Sequence, residues 1–350
     1  MDLALTADQE TLREVFADFF ASEAGPDRAR AAEPSGFDSR SWERLLETGA
    51  PGMGLPESAG GGRASLGDLG VVAEELGAAI APLPLVEHAV AGRLLAATGA
   101  CSEPVAEGSD IATLALRPAR DGICHLVPAG AVARHVVALD GDRLVLSSSD
   151  APGVALGNHG CLPLAHRSID GATVLLEGPG AHAAFDRALD EWRTLTAAAL
   201  VGIGRTALDL GVEYAKERHQ FGKPIGAFQA VQHLLADLPG LVDGARLLSA
   251  KAAWAGDSDL DSSNGVIDPG SNDITDFATL AGMALVFAGE AATTTTDRSL
   301  HVHGGYGFAE EYDIQLFYRR ARAWALVLDD PARECRRIAD LLLATSEDAA

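Results

Sequence analysis

The sequence is poor in aromatic residues, in cysteine and in positive charge. Phe, Trp and Tyr together make up 5% of the 350 residues, and only four cysteines occur. Because these cysteines show neither metal-ligand spacing nor a C-x-x-C pair, we expect free thiols and no metal site. The sequence also shows no secretion signal and no uninterrupted apolar run of membrane-span length, which predicts a cytoplasmic protein without a membrane partner.

The excess of acidic residues excludes a second class of partner. Asp and Glu number 50 against 27 Lys and Arg, which gives a formal net charge of -23. Such a charge repels nucleic acid and anionic membrane surfaces, so any anionic ligand needs a local basic patch. A hydrophobic content of 47% predicts a globular chain, and its length predicts two or three domains.

The hydrophobic pattern changes twice along the chain. Helical periodicity dominates the first hundred residues, with helices predicted over 39–46, 66–81 and 85–97. From about residue 108 to 183, short alternating or β-branched runs predict the strands of a small sheet or barrel. Helical periodicity then returns, which predicts an antiparallel bundle. The helices predicted there cover 195–218, 228–254, 274–296, 314–326 and 331–345, with a polar loop over 257–273.

Residues 212–233, VEYAKERHQFGKPIGAFQAVQH, place two helices on either side of a sharp turn. Pro224 cannot continue the first helix, and a second helix is predicted to start near Ala227. The first N–H groups of that helix lack intrahelical partners and favour an anion, and Arg218 and Lys223 are close in sequence. The segment predicts a phosphate-binding corner, with an ordinary helix–turn–helix carrying a solvated arginine as the alternative.

Two motifs in the second half of the chain carry a family resemblance. The stretch ERHQFGKPIGAFQ (217–229) resembles the R-x-x-F-G-x-x-I-x-x-F-Q signature of acyl-CoA dehydrogenases, and HVHGGYGF (301–308) resembles their Q-x-x-G-G-x-G-[FY]. The resemblance implies an acyl-CoA dehydrogenase-like fold. It would comprise an α-helical N-terminal domain (1–105), a shortened β-barrel domain (106–183) and a C-terminal antiparallel helical bundle (184–350).

The resemblance implies a FAD site that is shared across a subunit interface. In the family, the residues of these two motifs contact the adenine and diphosphate of a cofactor seated mainly in a neighbouring subunit. One position departs from the pattern, because a histidine replaces the family's glutamine. The implied cofactor-binding residues are Arg218, Gln220, Phe228, Gln229, His301, Gly304 and Gly305.

The two family positions for the catalytic base hold residues that cannot accept a proton. The family places a glutamate either in a Y-E-G-T motif, where this sequence has Leu328, or on the long helix before the arginine motif, where it has Trp192. The resemblance therefore implies no catalytic base in this chain. Asp329 and Glu191 are one position away from these sites. Either is a candidate for a displaced base, and the other interpretation of Glu191 is a solvated carboxylate at a helix start.

Other parts of the family site are altered or open to two interpretations. The flavin-ring motif T-E-P-x-x-G-S-D corresponds to residues 116–119, Leu-Arg-Pro-Ala, and no tryptophan occurs between Trp42 and Trp192 to supply the second ring motif. Asp190 and Arg193 match positions that contact acyl-CoA in the family. A charge at a helix N-terminus and a structural arginine are the alternative interpretations.

The chain thus resembles the shortened, non-catalytic subunit of actinobacterial α2β2 acyl-CoA dehydrogenases of steroid side-chain degradation. A homologous catalytic partner would then bind most of the acyl-CoA, and this chain would lend half of a FAD site. Two alternatives remain at this stage. One is a stand-alone homomeric dehydrogenase that uses Asp329 or Glu191, and the other is a flavin-free scaffold or CoA-binding protein.

Overall fold

The computed structural model describes residues 3–260 and 276–347. These residues form two compact units. The first unit combines Met1–Arg30, Gly70–Ala81 and Thr194–Ala350, and the second combines Ala31–Leu69 and Pro82–Arg193. The predicted domains 1–105, 106–183 and 184–350 follow the changes in hydrophobic pattern along the chain. Their boundaries stay a prediction.

The N-terminal segment is helical, as its periodicity predicts. The first helix begins with a capping box, in which the Thr6 side chain accepts from the Gln9 N–H and the Gln9 side chain accepts from the Thr6 N–H. The predicted helices 39–46 and 85–97 are confirmed at both ends. The helices are α1 (Ala7–Glu23), α2 (Pro26–Ala31), α3 (Ser39–Leu46), α4 (Leu66–Ala78), α5 (Leu85–Ala97) and α6 (Glu103–Glu107).

The middle segment is a small sheet domain, as predicted. Its strands are β1 (Ala112–Leu114), β2 (Ile123–Val127), β3 (His135–Asp140), β4 (Arg143–Ser148), β5 (Ala165–Ser168) and β6 (Thr173–Glu177). They pair as a four-stranded sheet of order β1-β3-β4-β6 and a two-stranded sheet of β2 and β5. The sequence pattern did not predict β5, because Ala-His-Arg-Ser carries no run of apolar residues, although burial alternates along it.

The central helix is longer than predicted. Helix α7 runs over Pro179–Glu217, whereas the periodicity predicted a start near residue 195. Ala181, Phe185 and Ala188 recur at helical spacing and are buried, as is Trp192. These side chains pack as the apolar face of the extra turns. The apparent domain boundary at 183/184 therefore falls inside a continuous helix.

The rest of the chain is helical, with one correction to the predicted pattern. The single helix predicted over 228–254 is two helices, and the first residues of the predicted loop are helical because the second helix continues to Leu260. Most of that loop lies outside the described residues. The elements are β7 (His219–Gln220), β8 (Lys223–Pro224), α8 (Gln229–Ala236), α9 (Leu238–Leu260), α10 (Phe277–His303), α11 (Ile314–Trp324) and α12 (Pro331–Glu347).

Two helical stretches are long and apolar enough to cross a membrane by length and composition alone. They are Pro179–Glu217 and Phe277–Phe308, with 18-residue windows of mean hydropathy 1.4 and 1.3. This corrects the expectation that no segment reaches span length. The windows are 67% and 61% buried inside the protein, which is how core helices of a folded bundle behave.

Candidate functional site

The first motif folds as a tight hairpin between two helices. After α7 ends at Glu217, β7 and β8 pair antiparallel, with Gln220 opposite Lys223. The two turn residues, Phe221 and Gly222, both have positive φ (54° and 80°), as a type I′ turn requires. A phenylalanine rarely adopts this conformation, and here the residue is 92% exposed. The predicted sharp turn is thus a two-residue hairpin, and the helix after it begins at Gln229 rather than near Ala227.

The second motif lies against the first. Helix α10 ends at His303, and Gly304 follows with φ 62° and ψ -140°, a conformation that only glycine adopts easily. The guanidinium carbon of Arg218 lies 5.4 Å from the ring centroid of Tyr306, which joins the two motifs directly. Below them the rings of Tyr214 and His303 stack at 4.2 Å. The structure therefore brings the two sequence motifs together on one surface of the first unit.

This surface has the chemistry to receive an anion. Arg218 is exposed and forms no ion pair within residues 3–260 and 276–347. The first turn of α8 has no side-chain cap at Phe228. Its first two N–H groups, those of Gln229 and Ala230, donate to no described residue, whereas Val231 donates to the Phe228 carbonyl at 3.0 Å. A Cβ at Gly304 or Gly305 would meet nothing within 4 Å, so the backbone there is open to a ligand. Gln220, Gln229 and His301 are exposed as well. These features fit the diphosphate and adenine half of FAD.

The first base position is filled and sealed. Trp192 is 2% exposed and lies beside Glu87 of α5, and its indole N–H has no hydrogen-bond partner among the described residues. Burial raises the pKa of Glu87 to about 7, an effect that a backbone hydrogen bond and the indole only partly offset. Sequence reasoning missed Glu87. The signal for it was a carboxylate in the middle of the apolar run LPLVEHAVAG (83–92).

The carboxylate beside Trp192 is held by arginines. Glu191 accepts from Arg93 at 2.8 and 3.1 Å and from Arg187 at 3.2 Å, and its side chain is 7% exposed. The interpretation of Glu191 as a solvated carboxylate at a helix start is therefore wrong, because it is buried in the interior of α7. Asp190 and Arg193 form a buried ion pair with each other at 2.8 Å. The helix-start interpretation of Asp190 is wrong for the same reason.

The second base position is apolar. Leu328 is 8% exposed and follows α11 in a segment that is not helical. The neighbouring Asp329 accepts from the Asp330 N–H at 2.8 Å and forms an ion pair with Arg333 at 3.0 Å. Asp329 therefore has an arginine partner at the surface, with 40% of its side chain exposed.

The region that should hold a flavin ring is a small apolar core. Leu116 is 3% exposed, and the N–H of Ala119 donates to Leu139 across the sheet at 2.7 Å. The residues packed behind this segment are Ala115, Cys124, Val127, Val136, Ala138, Val145 and Ile169. None of these side chains can hydrogen bond strongly to a flavin ring, so this part of the family site does not fit the cofactor.

Replacing Glu87 by glutamine tests the environment of this carboxyl group through the pH dependence of stability. In the unfolded chain the pKa of this carboxyl group is about 4.3. In the folded protein its pKa is about 7. The free energy of unfolding of wild type therefore falls as the pH rises between these two values. The Glu87→Gln variant keeps a polar side chain of the same size beside Trp192 and removes this loss. At pH 8 we expect the free energy of unfolding of the variant to exceed that of wild type by up to about 3 kcal/mol. At pH 4.5 we expect no such difference.

The measurement is urea unfolding of both proteins at pH 4.5, 6 and 8. His88, whose pKa burial lowers to about 4, titrates alike in both proteins and cancels in the difference. A stability difference that does not change with pH would show that the Glu87 carboxyl is solvated.

Comparison with known families supports the motif resemblance. The family model described as acyl-CoA dehydrogenase, N-terminal domain, matches residues 6–101. The model described as acyl-CoA dehydrogenase, C-terminal domain, matches residues 178–327. The acyl-CoA dehydrogenase IpdE2 of Mycolicibacterium smegmatis is 34% identical over 95% of this chain and 98% of its own length. Its counterpart in Mycobacterium tuberculosis is 32% identical over 95% of this chain and 96% of its own length.

Solved structures share the whole fold. A variant of the Tcur3481-Tcur3483 steroid ACAD matches 97% of this chain and 99% of its own, with a TM-score of 0.82 and 28% identity. The ChsE4-ChsE5 complex from Mycobacterium tuberculosis matches 98% of this chain and 99% of its own, with a TM-score of 0.84. Its 24% identity supports the fold alone.

Proposed function

Because the chain belongs to the acyl-CoA dehydrogenase family, we propose that it is the non-catalytic subunit of a heteromeric, FAD-dependent member. The complex would desaturate the α,β bond of an acyl-CoA thioester, with steroid side-chain thioesters as the substrate class. One contrast carries the proposal. The surface that the family offers to a neighbour's cofactor is exposed and open, whereas both base positions and the ring-binding segment are filled by apolar side chains.

The exposed surface defines what this chain contributes. Arg218 would hold the diphosphate of FAD through charge-assisted hydrogen bonds. Gln220, Gln229 and His301 would supply further polar contacts, Phe228 an apolar one, and Gly304 and Gly305 a close backbone approach. When bound, FAD supplies the hydride acceptor. The chain's own residues orient the adenine and diphosphate half and leave the ring to the partner.

The filled positions define what the partner must supply. A base has to reach the α-carbon of the thioester within hydrogen-bonding distance, and neither Leu328 nor Trp192 has a group that accepts a proton. Glu191 and Asp329 are held in ion pairs. We propose that a homologous catalytic subunit, in an α2β2 assembly, provides the base, the ring-binding strands and most of the acyl-CoA site. Under this proposal Asp190 and Arg193 hold α7 together and do not need to touch substrate.

The name of one similar structure supports a partner of the same family. The similar steroid ACAD, which is 28% identical, is designated by two protein names, Tcur3481 with Tcur3483. This chain, which offers half of a cofactor site, and a homologous catalytic chain would form a pair of this kind.

The proposal predicts that Arg218→Ala lowers the FAD content of the assembled complex. The chain is co-expressed with full-length homologues that retain the glutamate and the T-E-P motif, and FAD per pair of chains is measured by absorbance. Loss of a charge-assisted contact to the diphosphate should weaken FAD retention by about tenfold or more, with the complex still assembled. Arg13→Ala, a change at an exposed arginine of α1, should leave the FAD content unchanged.

Expression of the chain alone separates the alternatives. A yellow, active homomer that loses activity in Asp329→Asn or Glu191→Gln would favour the stand-alone dehydrogenase. A stable complex without FAD would favour a scaffold. Colourless, inactive protein alone and a yellow, active complex with the partner are the results expected here.

A further inference from the structure

A cavity of about 450 Å³ lies among three helices of the first unit, α10, α11 and α12. Leu285, Val286 and Gly289 line it from α10, and Leu326 and Leu328 line it from the segment after α11. Small-molecule sites in proteins typically enclose roughly 300–1,000 Å³ with mostly apolar walls. The cavity meets both criteria, and it contains none of the residues assigned to the cofactor surface.

The local packing explains why the space is left open. A Cβ on Gly289 would stand 3.0 Å from the Cβ of Ala325, so small residues let α10 and the end of α11 approach closely at that point. The chain then leaves helical structure after Trp324 and resumes it at Pro331. Along this connection Leu328 is buried, whereas Leu326 is 55% exposed. A connection of this kind covers one side of the cavity and does not fill it.

The charged residues that line the cavity disfavour a ligand with negative charge. Arg322 pairs with Asp297 at 3.5 Å, and Glu334 pairs with Arg337 at 2.7 Å. Asp329, also in the lining, pairs with Arg333 as described above. The remaining one, Glu290, is exposed and forms no ion pair with any residue of the described part of the chain. An anion in the cavity would thus meet an uncompensated carboxylate, whereas a hydrogen-bond donor would find an acceptor.

We propose that this cavity binds an apolar molecule that carries a hydrogen-bond donor and no negative charge. The apolar body would be buried against Leu285, Val286 and Leu328, and its donor would meet Glu290 or the hydroxyl of Thr293. Carboxylates and CoA thioesters, which carry negative charge, would be excluded. The site is separate from the surface proposed to hold FAD, so its test does not depend on the partner or on activity.

Three ligands that share a ten-carbon chain test the proposal on the full-length chain. They are 1-decanol, kept below its solubility limit, and decylammonium and decanoate, each kept below its micellar concentration. Binding is measured by saturation-transfer NMR and by displacement of Nile red. We expect 1-decanol and decylammonium to bind about tenfold or more tightly than decanoate at low salt. Decanoate binding as tightly as 1-decanol would overturn the proposal.

Variants then assign the binding to the cavity. Val286→Trp and Thr294→Trp each fill it and should abolish binding of 1-decanol. The matched change Leu247→Trp, at an exposed position of α9 outside the lining, should leave that binding unchanged. In the Glu290→Gln variant, decanoate should bind with an affinity close to that of 1-decanol. Binding that survives both filling variants in folded protein, or a Glu290→Gln protein that still rejects decanoate, would contradict the proposal.

Discussion

Replacing Gly77 by alanine is expected to destabilise the first unit by about 3 kcal/mol or more, because the new methyl group has no space. Gly77 lies in the last turn of α4, where the helix crosses α7 at Ala199. A Cβ at residue 77 would overlap the carbonyl oxygen of Ala199 and stand 2.6 Å from its carbonyl carbon. Since the obstacle is backbone, no side-chain rotation relieves it, and the two helices have to separate.

The same helix provides a control of opposite sign. A Cβ at Gly70 would meet nothing within 4 Å, so Gly70→Ala is expected to stabilise α4 by about 0.5–1 kcal/mol through helix propensity. Urea unfolding followed by circular dichroism measures both variants. Gly202→Ala should resemble Gly77→Ala, because its Cβ would stand 2.6 Å from the Ala78 nitrogen of the facing helix. Equal stabilities for Gly77→Ala and Gly70→Ala would mean that the helices are not in backbone contact.

The second large effect is expected from Arg93→Met in the second unit. Arg93 holds both oxygens of the buried Glu191 and donates to the carbonyl of Gly54 at 2.9 Å. Its removal leaves the Glu191 carboxylate with Arg187 alone in a buried environment. Loss of one partner of a buried ion pair typically costs about 3–5 kcal/mol, and we expect a loss near the lower end because Arg187 remains.

A double variant separates the unpaired charge from lost packing. Arg93→Met with Glu191→Leu should recover most of the stability, since a buried pair replaced by apolar groups of similar size is often neutral. Arg44→Met, which removes an exposed ion pair with Glu47 in the same unit, should change the free energy of unfolding by less than about 0.5 kcal/mol. If Arg93→Met proved no more destabilising than Arg44→Met, Glu191 would have to be solvated.

Much of the fold and part of the candidate site could be predicted from residue patterns. Periodicity gave helices α3 and α5 at their observed ends, and the two glycine-containing motifs led to the surface around Arg218. The start of α7 was missed because Pro179 and Gly180 suggest a break, whereas the buried residues from Ala181 to Trp192 continue the helix. Glu87 was missed because its importance depends on Trp192, which is 105 positions away in the chain and faces it only after folding.

The sequence by itself determined the chemistry that is absent: Leu328 and Trp192 cannot accept a proton whatever their surroundings, and the family motifs with Arg218 and Gly304 are read directly from residue order. Tertiary structure alone decided which of the remaining charged groups are available. Burial and ion pairing commit Glu191 to two arginines, and a partly exposed ion pair joins Asp329 to Arg333, whereas Arg218 stays exposed. The physical reason is that ionisation and hydrogen bonding depend on the groups within a few ångströms of a side chain, and folding brings those groups from distant parts of the sequence.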